Sequence, residues 1–136
     1  MEKKLDIISI ELKVIATQMN SEIWMHGDIE ITINGAKPYS ESDIVDSDML
    51  FKSLESDGEY FIFSCCCGVP HCSSWTNGIK VTRKKNIIQW IDPNNNRIWN
   101  FDKTYIEDDL KNITEEIKIF KKYFSEKQIE YVGFGS

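Results

Sequence analysis

Four cysteines fall at positions 65, 66, 67 and 72 of the 136-residue chain, and nowhere else. Thiolates bind zinc and carry redox chemistry, so the reactive side chains are concentrated in this one stretch. On an extended backbone Cys65 and Cys67 project to one face and Cys66 to the other. Gly68 and Pro70 then predict a turn, which can carry Cys72 back towards Cys65 and Cys67. The three thiolates could hold zinc, with His71 supplying a fourth ligand, or His26, the only other histidine, supplying it from a distant strand. The same spacing admits a Cys65–Cys72 or Cys67–Cys72 disulfide or redox pair, provided the Cα atoms come within about 7 Å. It also admits small buried hydrophobes at the end of a core strand. A cysteine nucleophile is disfavoured, because His71 and Cys72 are adjacent and diverge on extended backbone, leaving no base within reach of the thiol. No phosphate-binding glycine loop, H-E-x-x-H or G-x-S-x-G pattern occurs. No catalytic residue is assigned.

The elements that must position these residues are read from periodicity. Between Leu5 and Ile15 apolar residues fall on both parities, which predicts a strand with a bulge or with two buried faces. Ile23 to Ile33 alternates with a period of two and closes on the turn residues Asn34-Gly35. A short helix is expected at 47–56, capped by Asp46 or Ser47, with Leu50 and Leu54 on one face and Gly58 beyond its end. The nearly continuous apolar run from Glu59 to Cys66 reads as one central strand buried on both faces. Strands follow at Ile79–Arg83, Asn86–Ile91 and Arg97–Phe101, the last two joined by the loop Asp92-Pro93-Asn94-Asn95-Asn96 and bringing Trp90 beside Trp99. Although Asp92-x-Asn94-x-Asn96 imitates the start of an EF-hand loop, Arg97 and Lys103 stand where that motif needs glycine and glutamate, so it reads as a turn.

Ile106, Leu110, Ile113, Ile117, Phe120 and Phe124 then form one apolar stripe, the mark of a long C-terminal helix lying on a sheet. Thr104 and Glu107 are placed as its capping box. Ile129 to Val132 adds a final edge strand. The expected fold is a single α+β domain over 1–136. An antiparallel sheet of five or six strands carries the short helix and the long one.

Lys+Arg number 16 and Asp+Glu 22, a net charge of -6, which argues against nucleic acid and anionic membrane as partners. Asp6, Glu11 and Lys13 interrupt the first apolar stretch, and no run approaches the roughly 18 residues needed to span a bilayer. The expected location is cytoplasmic, where thiols stay reduced. Acidic residues cluster around the short helix, among them Asp43, Asp46, Asp48, Glu55 and Asp57, as a solvated face or a surface for a basic partner. Trp75, just after the cysteine turn, is expected to be an exposed aromatic contact.

The stretch Asp57 to Cys72, an apolar strand running into C-x-C-G-x-x-x-C, resembles a signature of small uncharacterised bacterial proteins, and a Trp-bearing strand follows it here at Gln89-Trp90. This chain departs from the pattern at His71 and Ser73, where similar sequences often carry glycine or alanine. Some of those proteins look like cytosolic immunity proteins of toxin systems. The absence of catalytic motifs, the acidic balance and this resemblance together point to a non-enzymatic domain, of immunity type, that binds a protein partner through acidic and aromatic surface. A zinc-binding or thiol-redox domain centred on Cys65, Cys67 and Cys72 is the alternative.

Overall fold

The computed structural model describes residues 5–65 and 75–135. Strands β1 (Ile8–Met19) and β2 (Glu22–Ile33) form a long antiparallel hairpin, turned at Asn20 in the left-handed region. Their register pairs Ile8 with Ile33, Ile10 with Ile31 and Leu12 with Ile29, so one face carries a band of aliphatic residues into the core. The pairing is unbroken, so the expected bulge is absent; the off-parity Ile7 and Ile15 are exposed instead.

Next come β3 (Asp43–Val45), helix α1 (Ser47–Glu55), β4 (Gly58–Tyr60) and β5 (Phe63–Cys65). Asp46 caps α1, its carboxylate accepting the Met49 amide at 3.1 Å. Strands β6 (Ile79–Lys84), β7 (Ile87–Asp92) and β8 (Arg97–Asp102) make a meander that β4 joins at its edge. Trp90 and Trp99 are direct cross-strand partners, as expected. Helix α2 (Lys103–Glu126) follows, and β9 (Glu130–Gly133) closes the chain beside β2.

The class is α+β, but the sheet is not the single antiparallel one expected. Among the described residues the strands form three sheets, ordered β1-β2-β9, β3-β5 and β4-β6-β7-β8, and β9 runs parallel to β2. The apolar run expected as one strand over Glu59–Cys66 is cut at Phe61-Ile62. Its first part pairs with β6, its second with β3. At the break the Ile62 carbonyl accepts the Asp46 amide at 2.7 Å, at the start of α1, which continues the β3–β5 register by one residue and marks where the chain passes to the second sheet.

Helix α2 buries Ile106, Leu110, Ile113, Ile117 and Phe124, while Phe120 is half-buried and stacks on Phe124 at 5.8 Å. The stripe lies chiefly against β1, completing a core centred on Trp90 and Phe101, whose rings meet edge to face at 5.2 Å. The expected Thr104–Glu107 capping box does not form. Asp102, one residue before the helix, accepts the Thr104 amide at 2.9 Å, and Glu107 instead faces Lys103 at 3.4 Å. Among the described residues no helix is long and apolar enough to cross a membrane.

Candidate functional site

Of the expected thiols, only Cys65 lies among the described residues; Cys66, Cys67, His71 and Cys72 fall outside them, and His26, the alternative fourth ligand, lies on β2 with its Nε2 3.0 Å from Asp28 Oδ1. Cys65 is half-buried and ends β5, where its strand partner is Asp43. The Asp43 carboxylate is buried, and its Oδ2 accepts the Ser40 amide at 3.0 Å, the Ser40 hydroxyl at 2.9 Å and the Trp75 indole N–H at 3.1 Å. The residues on either side of the 66–74 segment are therefore held by one aspartate. Cys65 is fixed through the backbone ladder and Trp75 through its side chain.

This geometry corrects two expectations. Trp75 is not an exposed contact: it is 5% exposed and packs on Phe63 at 5.3 Å, with Tyr39 stacked on the same ring at 5.0 Å. Asp43 is not part of a solvated acidic face. Its carboxylate is the acceptor that lets the indole N–H be buried without losing a hydrogen bond. A link across 32 positions leaves no mark in local periodicity, which is why the sequence did not reveal it.

The loop before β6 is held from the other side. Asn94 Oδ1 accepts from the Thr76 hydroxyl and the Asn77 amide, both at 3.0 Å, and its Nδ2 donates to the Asn77 carbonyl at 2.8 Å. Asn94 is itself braced by Asp92, which is fully buried and also accepts from Asn95 at 2.9 Å and Arg97 at 2.8 Å. Burial pushes the Asp92 carboxyl up, but the bonds from Asn95, Arg97 and Asn94 and the Arg97 charge outweigh it and hold its pKa below the ordinary value.

The remaining acidic residues divide by role. Asp46 is occupied as the α1 cap. Asp57 pairs with Arg83 at 3.1 Å, and the Arg83 guanidinium also donates to the Ser53 carbonyl, so this carboxylate is taken up in a structural contact. Asp48 and Glu55 stay exposed. With Phe51 and Lys52 they form one stripe along α1, since residues three and four apart share a helix face.

Phe51 is 36% exposed and stacks on Phe134, after β9, with centroids 5.7 Å apart and planes 6° from parallel. Beside this pair lies an open cleft of about 300 Å³, lined by Asp28, Val45, Ser47, Asp48 and Phe134. Two exposed carboxylates, Asp28 and Asp48, thus share a cleft with an aromatic wall. The acidic residues around α1 were legible in the sequence, but Asp28 and Phe134 were not, because they arrive from β2 and from the end of the chain.

No protein-family model matches the chain, and no curated protein or solved structure matches it.

Proposed function

We propose that the chain is a small protein-binding domain of the immunity type that engages a basic partner through the face built by α1 and the segment after β9. The observation that carries this reading is the cleft that Asp28 and Asp48 line together with Phe134, whose ring stacks on the partly exposed Phe51. An aromatic anchor beside exposed carboxylates combines apolar contact with charge steering, which suits a basic protein surface. The net charge of -6 adds long-range attraction for such a partner and repels nucleic acid.

Affinity capture from cells of the source organism, run with the native chain beside Asp48→Lys and Phe51→Ser, tests the reading. The expected result is a basic protein retained by the native chain, lost with either variant and released at high salt. Retention of the same proteins by all three chains would overturn it.

A second reading is supported by a different observation, the convergence of Cys65 and Trp75 on Asp43, which closes the ends of the cysteine-bearing segment onto one point. In this reading Cys65, Cys67 and Cys72, with His71, bind zinc or cycle between thiol and disulfide. Closing a short loop in advance lowers the entropy lost when its thiols converge on a metal or on each other. Metal analysis of untagged protein and titration of free thiols distinguish it: about one equivalent of zinc, or fewer than four free thiols after native purification, is expected. Four free thiols with no bound metal would contradict it.

A further inference from the structure

We infer that the chain dimerises by pairing the free edge of β1 with the same edge of a second copy, joining two three-stranded sheets into one of six strands. The direction of the backbone groups carries the argument. Ile10 and Ile31 are register partners, yet both amides point away from each other, Ile10 to Asp109 Oδ2 at 2.9 Å and Ile31 to the Tyr39 hydroxyl at 3.1 Å. They are a non-hydrogen-bonded pair, so the alternation of an antiparallel ladder turns the N–H and C=O groups of Leu12, Val14, Ala16 and Gln18 outward as well.

Helix α2 covers this edge at Ile10 through Asp109. From Leu12 to Gln18 no described residue hydrogen-bonds to it. A long uncovered edge is a template for another strand.

The free stretch selects its own partner and register. Its midpoint is Ile15, which is 61% exposed. A two-fold axis there places Ile15 on its copy, pairs Leu12 with Gln18 and Val14 with Ala16, and lets each outward pair exchange two hydrogen bonds. Lys13 then faces Thr17 and Glu11 faces Met19, so no like charges oppose one another. Moving the axis to Lys13 would set Lys13 against its copy and drive the incoming strand into Asp109. The charge pattern and the α2 cover therefore select the same centre, and the edge is complementary to itself in length, charge and apolar content.

Sedimentation equilibrium in reducing buffer, from about 10 μM to about 300 μM, tests this. The native chain is expected to rise towards twice its 15.8 kDa. Ala16→Pro removes an outward N–H that the β1–β2 ladder does not use, and Ile15→Lys sets like charges face to face. Both variants are expected to stay monomeric with an unchanged far-ultraviolet circular dichroism spectrum. Ile98→Lys, at an equally exposed isoleucine on the edge strand β8, is expected to dimerise like the native chain. If Ala16→Pro alters the spectrum, Ile15→Lys decides. A native monomer throughout the range, a dimer that survives Ile15→Lys, or equal loss in Ile98→Lys would overturn the inference.

Discussion

Asp92 illustrates how a single carboxylate can be buried and still charged. Every oxygen lone pair that would have faced water is offered a donor from Asn94, Asn95 or Arg97, and its pKa is lowered despite the cost of desolvation. A depressed carboxyl contributes stability that is fully present above its unfolded value and is lost as pH falls through its folded value. Asp92→Asn should therefore cost roughly 2–4 kcal/mol at neutral pH, because it leaves Arg97 without its counter-ion. The gap from the native chain should close as the pH drops below about 3.9. Urea unfolding at neutral and acid pH reads both. Asp43 and Trp75 form the second such unit. Trp75→Phe keeps the aromatic packing but withdraws one donor from a buried carboxylate, and should cost about 1–3 kcal/mol in the same measurement. Neither partnership was legible in the sequence. Both aspartates read there as turn or surface residues, since local patterns report exposure but not contacts made across the fold.

At the scale of elements, the two helices and most strands were legible, and the physical reason is periodicity. An apolar stripe at helical spacing defines α2, and clean alternation defines β2. The misreadings fall where periodicity is silent. A continuous apolar run carries no sign of where it breaks, so β4 and β5 read as one strand in the sequence, whereas in the fold the Ile62 carbonyl is held by the Asp46 amide and the second part pairs with β3. The parallel docking of β9 on β2 rests on close approach. The Tyr131 ring lies over Gly27, and a Cβ at that glycine would occupy the position of the phenol. Gly27→Ala should therefore detach β9, cost about 1–3 kcal/mol and lower the melting temperature. Faster amide exchange at 130–133 would confirm the site of the damage, and unchanged exchange there would show that the strand is held by other contacts.

For the whole molecule, the acidic balance legible in composition becomes a located feature once β2, α1 and the end of the chain are brought together. Asp28, Asp48, Phe51 and Phe134 come from widely separated stretches of sequence, and the tertiary fold creates the cleft and aromatic wall they share. The same fold buries Trp75, so the proposed contact surface is opposite in aromatic identity to the one the sequence suggested while keeping its acidic character. Binding at this face should slow exchange of its amides and weaken as salt screens the carboxylates. The most direct measurement of the central proposal is hydrogen–deuterium exchange of the chain with and without the captured basic partner. Slowing concentrated at 47–55 and 133–135 is the predicted result. Slowing confined to the β6–β7–β8 meander, or no slowing at the α1 face, would contradict it.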